Sequence, residues 1–326
     1  MSAAYPLLME PAIHAMPWGG TRLRDELGKT IPDELATAPI GESWEVSAHP
    51  NGVSRAANGP LAGMPLPEVV RAWGPALLGA KAASRYGGVF PLLVKLIEVN
   101  ALASVQVHPD DEQARRLEGF PFGKSEAWYI IETLPGAEAF IGFRAGTDRE
   151  RFEENLACCS VRDILQPVTL KPGDCAALEP GTVHACGNGI LLLEIQQSCD
   201  ITYRVYDWDR RDAEGRARPL HIEKALQVID FAAQPLVFRG EGAREGITGL
   251  FSGRHFSVFQ AVVKEKCALA PRESFSTLTV IQGGCVLQSD GANLDLRRGQ
   301  TVLVPAGLPC VLSGGQALLI GSTPSL

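Results

Sequence analysis

The chain has 326 residues, of which 45% are hydrophobic and 21% are charged, and its formal net charge is −7 at pH 7. This is ordinary globular composition, and the length suggests roughly two domains of ~150 residues. The acidic balance and the scattered basic residues disfavour nucleic acid as a partner. The N-terminal stretch has neither a basic start nor a long apolar run. We therefore expect no signal peptide or membrane anchor, and a cytoplasmic location.

Short apolar segments separated by glycine and proline turns dominate the chain and predict β-strands. In chain order, these segments are 91–99, 103–108, 126–133, 190–196, 201–208, 256–263, 277–282 and 301–306. Helical periodicity is found in 66–78, 147–165 and 219–230, and Thr147 or Asp148 is the expected N-cap of the second. The pattern is typical of a mostly β sandwich or barrel protein with small helical insertions.

An internal repeat aligns residues 170–189 with residues 296–315 at a constant offset. The alignment pairs Gly173 with Gly299, Gly181 with Gly307, and His184 with Cys310. In both copies the preceding stretch runs strand, turn, strand, so the repeat predicts two β-barrels. Because cysteine replaces histidine in the second copy, only the first barrel is expected to hold a metal ion.

The eight cysteines form neither a C-x-x-C pair nor the spacing of a disulfide framework. We expect free thiols that pack as small hydrophobic side chains. Cys186 follows His184 by two residues, and we expect it to line the same cavity without binding metal.

Four polar side chains on strand-like stretches are potential metal ligands: Gln106, His108, Glu126 and His184. Gln106 and His108 are two residues apart, so on a β-strand both side chains point to one face. The same parity places Lys124 beside Glu126. One metal ion with a cation next to it is the simplest chemistry that these positions offer.

The turn pattern G-x5-P-x-G-x2-H-x3-N resembles the second motif of the cupin superfamily. Gly181, His184 and Asn188 match its second half, and Gly299, Pro305 and Gly307 match its first half. Neither copy is complete, because Glu179 replaces the proline in the first copy and the second copy lacks the histidine.

Five stretches in the first two-thirds of the chain resemble the type I mannose-6-phosphate isomerases of the shorter bacterial kind. They are 18–28, 41–52, 90–114, 123–131 and 180–210. The final third resembles that family only through its second cupin. The resemblance implies two cupin-type, jelly-roll-like β-barrels, with a catalytic domain at 1–235 that carries helical insertions and a metal-free domain at 236–326.

The resemblance also assigns functional residues. It places the family's zinc ligands on Gln106, His108, Glu126 and His184, its active-site cations on Lys124 and Arg204, and further substrate contacts on Lys95 and Ser104. It implies one Zn²⁺ per chain. Some members carry a histidine just before the motif lysine, and here that position is Gly123, so a general acid–base role of that histidine does not transfer.

The chemistry of the residues agrees with this assignment. Two imidazoles, one carboxylate and one amide oxygen suit Zn²⁺ better than Ca²⁺ or Mg²⁺. With one anionic ligand, a divalent metal ion keeps a residual charge of about +1 at the site. This charge can stabilise an enediolate, which forms when a proton leaves the carbon beside a carbonyl. Arg204 and Lys124 can neutralise negative charge on the substrate. Asp200 lies four residues before Arg204 on an extended stretch, so it shares that face and is the candidate proton carrier.

We therefore expect an isomerase that interconverts mannose 6-phosphate and fructose 6-phosphate through a cis-enediol, with a small phosphosugar as partner and neither nucleic acid nor membrane. A cupin-type Fe(II) oxygenase is an alternative, because His108, His184 and Glu126 could hold iron. A non-catalytic sugar-binding double cupin is another, although it has no obvious need for an open metal site. Both a monomer and a homodimer are compatible with the sequence.

Other motifs have simpler interpretations. His49 is expected to cap a turn or to pack on Trp44. The charged run 207–218 is most simply a solvated loop, and alternatively a rim or lid over the cavity.

Overall fold

The computed structural model describes residues 3–212, 214–240, 242, 244–290 and 292–326. In these ranges the chain forms 22 β-strands and seven short α-helices. The strands pair antiparallel and make up three sheets of seven, five and ten strands. The prediction of a mostly β chain with small helical insertions is confirmed.

Sheet I has seven strands and is the middle layer of the protein. In spatial order its strands are β14 (Leu236–Phe238), β10 (Cys175–Leu178), β7 (Glu126–Thr133), β12 (Ile190–Gln197), β5 (Leu92–Val99), β3 (Ile40–Val46) and β2 (Ala12–Gly20). Every residue of β3, β5 and β12 is buried. Nearly continuous apolar strands of this kind are covered on both faces.

Sheet II covers one face of sheet I. Its strands, in spatial order, are β13 (Tyr203–Tyr206), β6 (Val105–Val107), β11 (His184–Cys186), β8 (Ala139–Phe143) and β9 (Leu165–Val168). Leu192 of sheet I and Ile141 of sheet II belong to one buried apolar cluster, together with Trp128. The space between these two sheets is the interior of the first cupin-type unit.

Sheet III covers the opposite face of sheet I. Its main path runs β15 (Gly246–Ser252), β16 (Phe256–Val263), β22 (Ala317–Pro324), β18 (Ser276–Ser289), β20 (Thr301–Val304), β1 (Leu7–Glu10) and β4 (Arg55–Ala56), while β17 (Lys266–Leu269), β19 (Ala292–Arg297) and β21 (Cys310–Ser313) lie off this path. Leu191 and Leu193 of β12 share a buried cluster with Phe256. Alternate residues of β12 therefore pack into the two different cores on the two faces of sheet I.

The helices lie in the connections between strands. They are α1 (Arg22–Asp25), α2 (Leu66–Trp73), α3 (Pro75–Leu78), α4 (Ala80–Arg85), α5 (Asp111–Glu118), α6 (Arg149–Ala157) and α7 (Ile222–Ala225), and three short 3-10 turns lie at Asp33–Leu35, Gly59–Leu61 and Val161–Ile164. Within the described ranges, the helices are all too short or too polar to cross a membrane.

The three predicted helical segments form to different extents. Segment 66–78 divides into α2 and α3 at Gly74, whose φ of 49° interrupts the helix. Segment 147–165 forms the nine-residue α6, and Asp148 is its N-cap because its side chain accepts a backbone hydrogen bond. Segment 219–230 forms only the single turn α7.

Helix α5 was not predicted. Asp110 accepts a hydrogen bond from the Gln113 backbone at 2.7 Å, and the Gln113 side chain accepts one from the Asp110 backbone at 2.9 Å. This reciprocal arrangement is a capping box, and its D-x-x-Q pattern is readable in the sequence. Helix α5 begins three residues after His108, so the chain leaves strand β6 shortly before the helix starts.

The internal repeat corresponds to equivalent strands in the two halves. The alignment matches β10 with β20, and it matches the first residue of β11 with that of β21. Gly173 and Gly299 have φ angles of 93° and 85°. Their backbone N–H groups donate to Ile130 and Val280 at 2.9 and 2.8 Å. Sheets I and II face each other in the first unit, and among the described residues the pairings do not close a barrel.

Strands pair across the predicted domain boundary. Strand β1 joins sheet III, with Leu7 opposite Leu303, and strand β14 joins sheet I, with Val237 opposite Ala176. The division into domains 1–235 and 236–326 stays a prediction.

The eight cysteines are free, and six of them are buried. Cys186 belongs to the apolar cluster between sheets I and II, and burial raises the pKa of its thiol. Cys310 belongs to the apolar cluster of the second unit. The thiols therefore pack as predicted, apart from the exposed pair Cys158 and Cys159.

A buried ion pair joins sheet I to the second unit. Lys29 Nζ lies 2.6 Å from Glu45 Oε1, and the two side chains are 7% and 0% exposed. Lys29 also donates to the Gly299 carbonyl at 2.5 Å. Ser43 and Thr301 donate hydroxyl hydrogen bonds to Glu45 at 2.6 and 2.9 Å. Both charges are thus compensated where the two units meet.

We predict that Lys29→Met lowers the free energy of unfolding by roughly 3–5 kcal/mol, because it leaves the Glu45 carboxylate buried without its cation. Urea denaturation followed by tryptophan fluorescence measures this loss. The double variant Lys29→Met/Glu45→Leu should recover much of it, since no unpaired charge is left. A single variant within about 1 kcal/mol of the parent, the value of an exposed pair, contradicts the prediction.

Candidate metal centre

His108, Glu126 and His184 each bring one ligand atom into a group whose atoms all lie within 4.8 Å of one another. The three side chains are buried. Glu126 begins β7 in sheet I, His184 begins β11 in sheet II, and His108 follows β6 in the same sheet. Among the residues that the structure describes, no other group of three or more such side chains is close enough to hold a metal ion.

Both imidazoles are oriented by the backbone. His108 Nδ1 lies 2.8 Å from the Ile201 carbonyl oxygen, and His184 Nδ1 lies 2.9 Å from that of Thr182. A carbonyl oxygen can only accept, so each Nδ1 carries the proton and donates it. Each Nε2 then presents a lone pair, which is the tautomer and ring orientation that a metal requires.

The Glu126 carboxylate has an environment that fits a metal ligand. Both of its oxygens are buried, and Oε1 accepts no hydrogen bond from any described residue. His184 Nε2 lies 3.2 Å from Oε1 and His108 Nε2 lies 3.6 Å from Oε2. Lys124 Nζ lies 2.8 Å from Oε2. Since buried polar groups are normally satisfied, a buried oxygen that has no donor and faces an imidazole nitrogen fits a cation that bridges carboxylate and imidazoles.

Gln106 reaches the same group from strand β6. Its side-chain nitrogen lies 3.2 Å from His184 Nε2, and the two residues are direct cross-strand partners. The parity prediction is therefore correct, because Gln106 and His108 both approach this centre. Rotation of the amide by half a turn would direct its oxygen, rather than its nitrogen, to the position that a metal ligand needs.

Charge at the centre is set by Lys124 and Glu126. Burial alone raises the pKa of Glu126, but Lys124 and the two histidines outweigh it and hold that pKa well below its usual range. Burial likewise lowers the pKa of Lys124, whereas Glu126 and Glu194 raise it to a net value above its usual range. Burial and Lys124 together lower the pKa of His108. The centre therefore contains a carboxylate, a charged ammonium and a neutral His108 imidazole.

A cavity of about 340 Å³ opens beside this group. Its lining includes all the predicted substrate and proton-transfer residues: Lys95, Ser104, Lys124, Asp200 and Arg204. Gln106 and Cys186 also line it, as predicted. The volume is in the range of small-molecule sites. The sequence-predicted residues are thus brought together in one place.

Arg204 and Asp200 occupy the more open part of the cavity. Arg204 Nε donates to the Ser104 hydroxyl at 3.3 Å, and a terminal nitrogen donates to the Pro219 carbonyl at 3.0 Å. Burial and the neighbouring Arg218 lower the pKa of Arg204. Asp200 accepts a hydrogen bond from the Asn51 amide at 3.0 Å. Both side chains line the same cavity, as their spacing predicted.

A buried charged cluster behind the metal group was missed by the sequence reasoning. Lys95 Nζ lies 3.4 Å from Glu42 and 3.3 Å from Glu194, and all three residues line the cavity. Trp128 donates its indole N–H to Glu194 at 2.9 Å. Burial and the Glu126 charge raise the pKa of Glu194. A glutamate inside the apolar run "ILLLEIQ" was the available signal, since buried charges require partners.

Segment 207–218 reaches the cavity rim at its last residue, and Ala213 of this segment lies outside the described residues. Arg218 lines the cavity and donates two hydrogen bonds to Asp207, at 2.6 and 2.7 Å. Most described residues of the segment are exposed, as expected for a solvated loop, and its end at Arg218 also meets the rim interpretation. His49 both accepts from the Asn51 backbone at 3.2 Å and lies against Trp44, with ring centroids 6.0 Å apart. The prediction for His49 is confirmed.

Family models and curated relatives match most of this chain. The family model "Phosphomannose isomerase type I, catalytic domain" matches residues 7–127, and "Mannose-6-phosphate isomerase, cupin domain" matches residues 247–324. The probable mannose-6-phosphate isomerase GmuF of Bacillus subtilis is 38% identical, with 93% of this chain and 94% of the relative covered. The mannose-6-phosphate isomerase of Streptococcus mutans is 37% identical, with 93% of each chain covered.

Solved structures share the fold over nearly the whole chain. The mannose 6-phosphate isomerase from Bacillus subtilis has a TM-score of 0.87 and 34% identity, covering 98% of this chain and 99% of that one. A mannose 6-phosphate isomerase bound with zinc and yttrium has a TM-score of 0.78 at 18% identity, covering 99% and 100%. The predicted cupin-type fold is confirmed. The chain belongs to the type I mannose-6-phosphate isomerase family.

Proposed function

We propose that this chain interconverts mannose 6-phosphate and fructose 6-phosphate through a cis-enediol at the centre formed by His108, Glu126 and His184. The observation that carries the proposal is the buried Glu126 carboxylate, which faces two imidazole nitrogens and has Lys124 beside it. Family membership supports the reaction, and the adjoining cavity offers room for a sugar phosphate.

We propose one Zn²⁺ per chain as the cofactor. His108 and His184 would bind it through Nε2, Glu126 through a carboxylate oxygen, and Gln106 through its amide oxygen after rotation. Nitrogen and oxygen donors of this kind are typical of zinc sites that keep a position open for substrate. A bound zinc ion supplies a Lewis acid that stabilises negative charge on the oxygens of the sugar.

Lys124 and Arg204 are the proposed active-site cations. The Lys124 ammonium stays charged beside Glu126 and can stabilise a developing enediolate oxygen. Arg204 has no carboxylate within ion-pair distance among the described residues, and its hydrogen-bond acceptors there are neutral. A guanidinium whose charge is not compensated suits the planar recognition of phosphate or enediolate oxygens.

Lys95 and Ser104 are proposed to bind the sugar. The charge of Lys95 is already compensated by Glu42 and Glu194, so its remaining role is to donate hydrogen bonds to substrate hydroxyls. The Ser104 hydroxyl accepts from Arg204 and can donate its own proton to a substrate oxygen. Both residues would fix the orientation of the sugar relative to Lys124.

Asp200 is the proposed proton carrier between C1 and C2 of the sugar. One of its carboxylate oxygens accepts the hydrogen bond from Asn51, which fixes the carboxylate in the cavity wall. The other oxygen can take a proton from substrate and return it.

The comparisons give no support to the two alternative functions, a cupin-type Fe(II) oxygenase and a non-catalytic sugar-binding double cupin. The relatives that cover most of this chain are named as isomerases. A cytoplasmic location is part of the proposal, since the free thiols fit a reducing compartment.

Incubation of metal-analysed protein with mannose 6-phosphate tests the function directly. We expect fructose 6-phosphate to form, and we expect a chelator to abolish the product and added zinc to restore it. A coupled assay or sugar analysis measures the product. Failure to form a chelator-sensitive product overturns the proposed function.

Histidine variants supply the matched control for this assay. His184→Ala should lose bound metal and activity together, because it removes one of the two imidazole ligands. His255→Ala removes a histidine that is not part of the candidate ligand group, so it should keep both. Full metal content and full rate in His184→Ala would contradict the ligand assignment.

Asp200→Asn should lower kcat by about 10²-fold or more while the metal content is unchanged, because the amide cannot accept the transferred proton. Steady-state kinetics with metal analysis of the same sample measures both quantities. Asn51→Ala is the control, since it removes only the hydrogen bond to Asp200 and should have a smaller effect. Near-normal turnover in Asp200→Asn would exclude it as the proton carrier.

A further inference from the structure

Gly123 leaves no room for a side chain just before Lys124. A Cβ atom at Gly123 would lie 2.3 Å from the backbone carbonyl carbon of Asp110 and 2.6 Å from the backbone nitrogen of Asp111. Contacts of real Cβ atoms are longer than 3.0 Å, so the start of helix α5 fills the space that a histidine would need. Proton transfer in this chain therefore relies on another residue, and Asp200 is the proposed carrier.

The position of Asp200 is set by a tight turn at residues 197–201, which we call the carrier turn. Within it the Cys199 N–H donates to the carbonyl two residues before it at 2.7 Å. The end of the turn is fixed by His108, whose Nδ1 donates to the Ile201 carbonyl at 2.8 Å. Asp200 lies between these two contacts and lines the candidate substrate cavity. The carrier turn therefore determines where the carboxylate lies.

The side chain of Gln196 holds the beginning of the carrier turn. Its amide nitrogen donates to the Gln197 carbonyl at 3.1 Å and to the Cys199 carbonyl. A carbonyl oxygen only accepts, so these two contacts fix which end of the amide is nitrogen. The Gln196 side chain is 0% exposed, so it cannot touch a substrate in the open cavity. Any effect of Gln196 on the reaction is therefore transmitted through the carrier turn.

The other end of the Gln196 amide is an unpaired acceptor. Its Oε1 atom is buried and makes no hydrogen bond among the described residues. A buried amide oxygen without a donor costs stability, and an aliphatic side chain at this position would avoid that cost. Core packing therefore does not account for a glutamine here. The contacts that use the amide are those to the carrier turn.

We propose that Gln196 is a positioning residue for proton transfer, because it holds the carrier turn and thereby the Asp200 carboxylate in place. This inference rests on the proposed function, in which Asp200 takes a proton from one sugar carbon and returns it to the neighbouring carbon. The electron pair of the broken C–H bond stays on the substrate as the enediolate, so no further reactant is needed. A catalytic group displaced by about 1 Å can lose about 10²-fold in rate, so the turn must be held firmly.

Gln196→Met tests the role of the amide, because methionine has a similar shape and no N–H group. We expect kcat for mannose 6-phosphate to fall by about tenfold or more, since the proton carrier is displaced. KM and metal content should not change, because Arg204 is held by its strand pairing with Gln106 and the candidate ligand group is intact. Steady-state kinetics and metal analysis of the same sample measure these quantities.

A double-mutant cycle with Asp200→Asn separates positioning from general damage. In the Asp200→Asn background, Gln196→Met should leave kcat unchanged, because the carrier that Gln196 positions is already removed. A substitution that merely loosens the protein lowers kcat by the same factor in both backgrounds.

Gln260→Met is the matched control, since it makes the same substitution at a buried glutamine of strand β16 in sheet III. It should keep the kcat of the parent. Gln196→Asn is a second test variant, because it retains an amide on a side chain that is one methylene too short to reach both carbonyls. It should lose kcat in the same way as Gln196→Met.

Hydrogen–deuterium exchange of the metal-loaded protein reports on the carrier turn without any turnover. Peptides that cover residues 198–201 should exchange faster in Gln196→Met than in the parent or in Gln260→Met. The reason is that the Cys199 carbonyl has lost its donor, so the turn opens more often.

Three results would overturn the positioning role. They are the parent kcat in both Gln196 variants, an equal loss of kcat from Gln196→Met in the two backgrounds, and unchanged exchange at residues 198–201. A parent protein without isomerase activity, or near-normal turnover in Asp200→Asn, overturns the proposed function instead. Exchange requires no turnover, so the failure of one proposal can be distinguished from the failure of the other.

Discussion

The rest of the site depends on the charge balance around the Glu126 carboxylate. Burying a carboxylate is costly, and the Lys124 ammonium at 2.8 Å from Oε2 leaves Oε1 without a hydrogen-bond donor among the described residues. Sheets I and II meet so that two imidazole nitrogens face the same carboxylate, and backbone carbonyls fix both rings. A divalent cation placed among these atoms would satisfy every one of them. Contacts within the protein itself thus hold this charged centre together.

The duplicated scaffold explains why this centre occurs in only one unit. The strand and glycine positions of the first unit recur in the second, with the same backbone hydrogen bonds at Gly173 and Gly299. At the position of His184 the second unit has Cys310, which packs among apolar side chains. The second unit instead supplies most strands of sheet III, and the Lys29–Glu45 pair is buried where this sheet meets sheet I. Among the described residues, the candidate ligand group therefore lies in the first copy of the repeat, and apolar packing takes its place in the second.

Local patterns predicted the parts of the structure that local geometry decides. Strand parity brought Gln106 and His108 to one centre, and the repeat located equivalent strands. The buried cluster of Lys95, Glu42 and Glu194 was missed because it depends on the register of adjacent strands, which places Lys95 opposite Glu194. Segment 219–230 has helical periodicity but forms one turn, since a short helix relies on tertiary packing more than on propensity. The cavity between sheets I and III, which is formed by residues of β7, β16 and β18, had no sequence signal because it results from the packing of the sheets.

The central claim is that one metal ion is held by nitrogen and oxygen donors beside Lys124. X-ray absorption spectroscopy at the zinc edge of the purified protein tests it most directly, because the technique identifies the atoms bound to the metal. We predict a first shell of nitrogen and oxygen only, with the outer-shell scattering of two imidazole rings. A sulfur ligand, which only a cysteine such as Cys186 or a methionine could provide, or the scattering of fewer than two imidazoles, would contradict the account.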